Sequence, residues 1–236
     1  MIVVIVQARM GSSRLPGKVL QDLCGTPVIA HVLVRARAIP GVDKVCCAVP
    51  EGVADKILAE AAGRFGAFVA RGSETDVLDR FLVAARATDA TVVMRVTADC
   101  PVLDPMVSGR VLADFLAHRP DYASNGEPRS WPRGLDTEVF SREALEHMAS
   151  EATTPYQREH VTPWLLETPG TVRRNIALES GDYSTWRWTL DYEEDLAFLR
   201  ALLGRCPAFP HVAGFDELRR IVEEHPHIPR LNSHVP

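Results

Sequence analysis

No two of the five cysteines, Cys24, Cys46, Cys47, Cys100 and Cys206, form a C-x-x-C pair, and their number is odd. A zinc ribbon is excluded, and a disulfide framework is not expected. Cys46 and Cys47 stand in an apolar run and read as packing residues, so the expected compartment is reducing, the cytoplasm. Long basic runs are missing and the net charge is −5. Duplex nucleic acid, which demands clustered Lys and Arg, is therefore not an expected partner. No stretch of about 18 apolar residues occurs, so no membrane span is expected. Nor does a positive segment followed by a long apolar stretch open the sequence, as in a signal peptide. Internal repeats and low-complexity tracts are lacking too.

What is present is ordinary globular material. Hydrophobic residues make up 46% and charged residues 24% of 236 positions, enough for a sizeable core without staples. One domain over residues 1–224 is expected, followed by a loosely packed tail at 225–236. Residues 2–6 are a continuous β-branched run, the pattern of a strand buried on both faces. Further strands are expected at 44–49, 67–70 and 91–96, alternating with helices at 54–65, 76–87 and 105–117. Thr26-Pro27 reads as an N-cap followed by proline at the first position of a helix ending near Ala38. This alternation predicts an α/β fold with a doubly wound, mostly parallel sheet. After residue 120 the pattern changes. A loop at 125–134 precedes expected strands at 135–140, 171–177 and 186–190, with helices at 142–150, 155–167, 193–203 and 215–224. This is a small strand-and-helix region appended to the sheet.

The segment Gln7-Ala8-Arg9-Met10-Gly11-Ser12-Ser13-Arg14-Leu15-Pro16-Gly17-Lys18 carries the strongest chemical signal. It holds cations, glycines and serines and no acid, at the carboxyl end of the first strand, where open α/β sheets bind ligands. Glycines let backbone N–H groups approach phosphate oxygens, and consecutive N–H groups form an anion nest. Arg and Lys add charge-assisted hydrogen bonds. It is not a Walker A loop: the glycine spacing is wrong, and Val19 stands where that motif has a hydroxyl. A metal would have to be held elsewhere. Asp99, just past a buried strand, lies at the same sheet edge and suits Mg²⁺, which takes one or two carboxylates plus substrate phosphates.

Together with Val19-Leu20, this segment resembles the signature of the cytidylyltransferase family typified by spore coat polysaccharide biosynthesis protein F, a family related to CMP-sugar synthetases. Arg71-Gly72-Ser73-Glu74-Thr75-Asp76, Arg95-Val96-Thr97-Ala98-Asp99, Gly134-Leu135-Asp136-Thr137-Glu138, Arg158-Glu159-His160 and Thr189-Leu190-Asp191 extend the resemblance over nearly the whole chain. It implies a Rossmann-like fold and a transferase that moves a cytidylyl group from CTP to a small anionic acceptor, with a homodimer contact in residues 121–224. Residues 1–120 would bind the nucleotide. Asp191 would complete the metal site with Asp99; the alternative is an N-cap for the helix that follows, on whose surface Asp195 is expected. Arg71, Ser73 and Asp76 would lie near the base and ribose, with Asp76 equally fit to cap a helix.

Arg95 and Thr97 flank a buried strand end and face either the nucleotide or structural partners. Asp136 and Glu138, two apart on an expected strand, share a face and suit acceptor hydroxyl or amine groups. Arg129 and Arg133 precede them and suit an anionic acceptor or plain solvent. His160 is a candidate acceptor contact or a structural histidine. Of Trp186 and Trp188, one is expected in the core and one beside the acceptor. In the reaction implied, Lys18 and Arg14 hold the triphosphate and Arg9 neutralises charge near the α-phosphate. Other readings are a uridylyl- or guanylyltransferase on the same fold, a non-catalytic nucleotide-binding protein, and a glycosyltransferase.

Overall fold

The structure, a computed structural model, describes residues 1–235. The β-branched run becomes strand β1 (Ile2–Gln7), in which Val3, Val4, Ile5 and Val6 are wholly buried. A loop leads into a tight helical turn (Lys18–Leu20) and a small antiparallel hairpin of β2 (Asp22–Leu23) and β3 (Thr26–Pro27). Helix α1 spans Val28–Arg37 with Pro27 at its N-cap, not Thr26. The hairpin pairs Thr26 with Leu23, so the expected cap is taken up by strand pairing.

The alternation then runs as expected: β4 (Lys44–Pro50), α2 (Lys56–Arg64), β5 (Phe68–Gly72), α3 (Val77–Ala87), β6 (Val92–Thr97) and α4 (Pro105–His118). Asp76 caps α3 by accepting from the Asp79 N–H, and Asp104 caps α4 by accepting from Met106 and Val107.

The second half departs further from expectation. A three-residue strand β7 (Tyr122–Ser124) appears where none was expected. Strand β8 covers Glu138–Ser141, so Leu135 and Asp136 precede it. Helix α5 (Arg142–Glu151) follows. The single helix expected at 155–167 is two, α6 (Pro155–His160) and α7 (Pro163–Glu167), parted at Val161 with φ 72°. Pro163 lacks an N–H and suits the first position of a new helix rather than the interior of a continuous one. Strand β9 is Arg173–Asn175. Residues 186–190 do not form the expected strand; they make one isolated parallel bridge, Arg133 to Arg187. Helices α8 (Glu193–Leu203) and α9 (Phe215–Glu224) complete the chain. The tail is not loose: Ile228 and Asn232 are both buried.

One seven-stranded sheet runs in the order β5-β4-β1-β6-β8-β7-β9. It is parallel from β5 to β6, antiparallel across β8, and parallel again between β7 and β9. This is the mixed, mostly parallel Rossmann-like sheet the sequence implied. Helices α1, α2 and α4 cover one face through Ile29, Leu58 and Val111, while α3, α5 and α7 cover the other through Phe81, Met148 and Leu165. A third apolar cluster joins Trp131, Trp188, α8 and α9 to Leu15, Leu23 and Val28, beside the loop after β1. The chain leaves β1 toward β4 on one side and enters β6 on the other. The carboxyl ends of β1 and β6 therefore open into the crevice that α/β sheets use for ligands.

Candidate active site

The loop after β1 is pinned at three points. The Met10 N–H donates to Asp55 Oδ1 at 2.6 Å, and the Gly17 N–H returns to the Met10 carbonyl at 3.1 Å. Leu15 is buried in the third cluster. Gly17 sits at φ 68°, a left-handed turn that glycine adopts without steric cost. Between these pins the backbone N–H groups of Gly11, Ser12, Ser13 and Arg14 have no hydrogen-bond partner among the described residues. Four consecutive donors facing no acceptor are what an anion nest requires.

Lys18 closes the loop from below. Its ammonium donates to Asp99 Oδ2 at 3.0 Å, Asp191 Oδ1 at 2.9 Å and the Leu190 carbonyl at 2.8 Å. All three of its protons are thereby used. Burial opposes the charge on Lys18, but Asp99 and Asp191 outweigh it and raise its pKa. Burial likewise opposes the Asp191 carboxylate; hydrogen bonds and charge from Lys18, with help from Arg187 and Arg14, hold its pKa below the ordinary range. Asp99 is oriented by the Thr97 hydroxyl, which donates to Oδ1 at 2.5 Å. The two carboxylates thus share one cation, the ammonium. Among the described residues no group of three or more His, Cys, Asp and Glu could hold a metal. Two converging carboxylates still fit a hard divalent ion whose remaining ligands are phosphate and water.

These groups surround a cleft of about 370 Å³ lined by Gln7, Ala8, Arg9, Gly11, Ser12, Ser13, Arg14, Lys18, Arg95, Thr97, Asp99, His160 and Asp191 among others. Met10 is absent from that lining; its backbone anchors the loop instead. Arg9 is half-exposed and reaches Glu159 at 3.9 Å. His160 stacks on Tyr156 with ring centroids 4.6 Å apart.

A second cleft of about 340 Å³ adjoins the first through Arg95 and Thr97. Its floor is a polar network. Arg95 and Glu138 are cross-strand partners on β6 and β8 and form an ion pair. Tyr122 and Thr162 donate to Glu138 Oε1 at 2.7 and 2.8 Å. Arg95 also reaches Gln7 Oε1 at 3.3 Å. Burial alone would raise the Glu138 pKa; Arg95 and the donated hydrogen bonds bring it below the ordinary value. Asp136 and Glu138 both line this cleft, but not as one strand face, because Asp136 precedes β8. Asp136 accepts from the Gly134 N–H at 2.9 Å and pairs with Arg129 at 2.6 Å.

Other expected residues lie apart. Arg71 donates to the Pro50 and Gly52 carbonyls at 2.7 and 2.9 Å, and Ser73 accepts from the Asp76 N–H at 3.0 Å. Neither lines the two clefts. Asp76 caps α3 and pairs with Arg158, bordering a separate hollow beside Arg9. Arg133 is exposed and enters neither cleft; its backbone bridges residues 186–188. Trp186 and Trp188 do not face opposite environments: their rings meet at 5.8 Å in one aromatic cluster.

Sequence reading missed Tyr122 and Thr162, and it left Asp195 on the helix surface. Asp195 is in fact fully buried and paired with Arg187. A signal existed: Arg187, Asp191 and Asp195 recur at every fourth position.

Residues 3–199 match the family described as Cytidylyltransferase. The chain is 30% identical to the spore coat polysaccharide biosynthesis protein SpsF of Bacillus subtilis, over 95% of each sequence. It is 31% identical to a 3-deoxy-manno-octulosonate cytidylyltransferase of Anaeromyxobacter dehalogenans, over 86% of this chain and 97% of that one. A solved cytidylyltransferase structure from Leptospira borgpetersenii matches with a TM-score of 0.91 at 29% identity, covering 96% of this chain and 95% of its own. With the fold, the open amide nest and the paired aspartates already in place, the chain belongs to the cytidylyltransferase family and is a CTP-dependent nucleotidyltransferase.

Proposed function

We propose that the protein transfers the cytidylyl group of CTP to an oxygen of a small acidic acceptor, a sugar acid or similar, with Mg²⁺ held by Asp99 and Asp191. One observation carries the reading: the amides of residues 11–14 have no hydrogen-bond partner among the described residues and line one cleft with two carboxylates that converge on Lys18. The triphosphate lies along those amides, with Arg9 and Arg14 offsetting its charge. The acceptor occupies the second cleft, beside Arg95, Asp136 and Glu138, with His160 at its edge. Its oxygen attacks the α-phosphorus in line, and pyrophosphate leaves. A Mg²⁺ ion held there would supply Lewis-acid neutralisation of phosphate charge.

The chain's own contribution is positioning. Lys18 already spends its three protons on Asp99, Asp191 and the Leu190 carbonyl. A divalent ion held by Asp99 and Asp191 would compete with the ammonium for these carboxylates, and a Lys18 released from them would be free to meet phosphate. The five free cysteines support a cytoplasmic enzyme. A homodimer through residues 121–224 is part of the same reading, and sedimentation velocity checks it.

The test is pyrophosphate release with each of the four nucleoside triphosphates against a panel of acidic sugars, neutral sugars and phosphonates. CTP with a sugar acid is expected to turn over, and Asp99→Asn to abolish turnover with the fold intact. Equal turnover with neutral acceptors would remove the acidic-acceptor reading.

A further inference from the structure

Three residues outside the cleft meet behind Asp191. Asp195, in the first turn of α8, is fully buried. Its carboxylate accepts five hydrogen bonds. Arg187 Nε and Nη2 donate at 2.9 Å each, the Asp191 N–H at 2.9 Å, the Tyr192 N–H at 3.1 Å and Asn232 Nδ2 at 3.0 Å. Arg187 Nη2 also reaches forward to Asp191 Oδ2 at 2.9 Å. Asn232 donates to the Arg187 carbonyl at 2.9 Å, and it is only 3% exposed although just four residues of the sequence follow it.

Tying a tail to a fold requires only one or two of these contacts. Two others act on Asp191 itself: Asp195 holds its backbone N–H, and Arg187 holds Oδ2. The carboxylate is gripped from behind, so Oδ1 is the oxygen that faces the cleft, where Lys18 at 2.9 Å and Arg14 at 3.1 Å meet it. A ligating carboxylate fixed in this way loses no rotational freedom when a metal arrives, and outer partners of this kind tune metal affinity.

We propose that Asn232 and the Arg187–Asp195 pair are positioning residues that hold Asp191 in its metal-ligating orientation, so that the C-terminal turn sets divalent-ion affinity. The proposal rests on the reading of Asp99 and Asp191 as metal ligands. Asn232 acts through Asp195 and Arg187, and it touches neither nucleotide nor acceptor.

The test is Mn²⁺ affinity of the full chain, read by electron paramagnetic resonance with and without CTP, together with unfolding temperature. Four variants are compared with the parent: Asp99→Asn, Asn232→Ala, Asn232→Asp and Arg230→Ala. Arg230 is exposed and has no partner among the described residues, so its variant should bind as the parent does. Asp99→Asn should lose tight Mn²⁺ binding. Asn232→Ala should weaken binding by about tenfold, the low end for lost outer partners. Asn232→Asp, which sets a second carboxylate against Asp195, should weaken it further. In turnover, the Mn²⁺ concentration giving half the maximal rate should rise by the same factor for Asn232→Ala, with kcat at saturating metal retained. A merely structural role would lower the unfolding temperature without that split. Parental Mn²⁺ affinity in both Asn232 variants, with binding lost in Asp99→Asn, overturns the proposal and leaves the metal site standing. Parental affinity in Asp99→Asn removes the metal reading and this proposal with it. Should Asn232→Asp fail to fold, Asn232→Ala decides alone.

Discussion

The two adjoining clefts share Arg95 and Thr97 yet treat polar groups in opposite ways. In the first, consecutive amides of residues 11–14 have no partner among the described residues, and Arg9 and Arg14 are half-exposed. In the second, Arg95 is matched by Glu138 and Arg129 by Asp136, while Tyr122 and Thr162 complete Glu138. The difference follows from burial. Solvated donors cost little while they wait for a charged ligand that comes and goes. A wall made of charges near the core must be neutralised within the fold, because an unmatched buried charge costs several kcal/mol. The open side is therefore the one proposed to bind a ligand, and the closed side is matched within the fold.

Mutation can break or sharpen that contrast. The largest effect should come from the closed side. Glu138→Ala leaves Arg95, both side chains being 16% exposed, without its counter-ion, and should cost roughly 3–5 kcal/mol in urea unfolding. A loss below about 1 kcal/mol, as for a surface pair, would dissolve the contrast. Next comes Lys18→Met on the open side. It should lower kcat by roughly 10²–10³, or about 2.7–4 kcal/mol. It should also bind Mn²⁺ more tightly than the parent when no nucleotide is present, because Asp99 and Asp191 then lose the cation they share, Asp191 keeping Arg187 and Arg14. Weaker Mn²⁺ binding in that variant would contradict the competition between ammonium and metal.

A smaller effect concerns pH. The Asp191 pKa lies below its ordinary 3.8, so its stabilising share is complete above that value and lost as pH falls through the folded value. The Lys18 pKa lies above its ordinary 10.5, so its share is complete below that value and lost as pH rises through the folded value. The share of urea-unfolding stability that the pair supplies, read as the difference between parent and Lys18→Met, should be level between these limits and fall at both ends. Lys18→Met should flatten the alkaline fall and soften the acid one; curves parallel to the parent's would show that the pair adds no pH-dependent stability. Smallest is Arg71→Ala, whose guanidinium bonds among the described residues only to the Pro50 and Gly52 carbonyls. Its stability should change by no more than about 0.5 kcal/mol, and its KM for CTP should stay close to the parent's. A large rise in that KM would bring Arg71 to the nucleotide after all.

Much of the first half was legible before folding because its signals are local. The apolar run of β1, the glycines and cations after it, and the caps at Asp76 and Asp104 each concern residues within a few positions of one another. The second half was less legible for the converse reason. Strand β7 is three residues long and buried, so it carries no alternation to read. Residues 186–190 look like a strand but find only one bridging partner. Asp195 looks like an acid at the exposed start of a helix; only the return of Asn232, 37 positions later, and of Arg187 makes it a buried hub. Asp191 was reached through family resemblance, since nothing local separates it from an N-cap.

The amino-acid sequence by itself determined a buried first strand, a phosphate-suited loop at its end and the alternation that winds the sheet, because those depend on burial period and backbone freedom over short spans. Tertiary structure alone decided that Lys18 meets Asp99 and Asp191, 81 and 173 positions away, that Glu138 is spent on Arg95, and that the tail stands behind the aspartate. Ion pairs form wherever the chain path brings charges within a few ångströms, and no local pattern encodes that path.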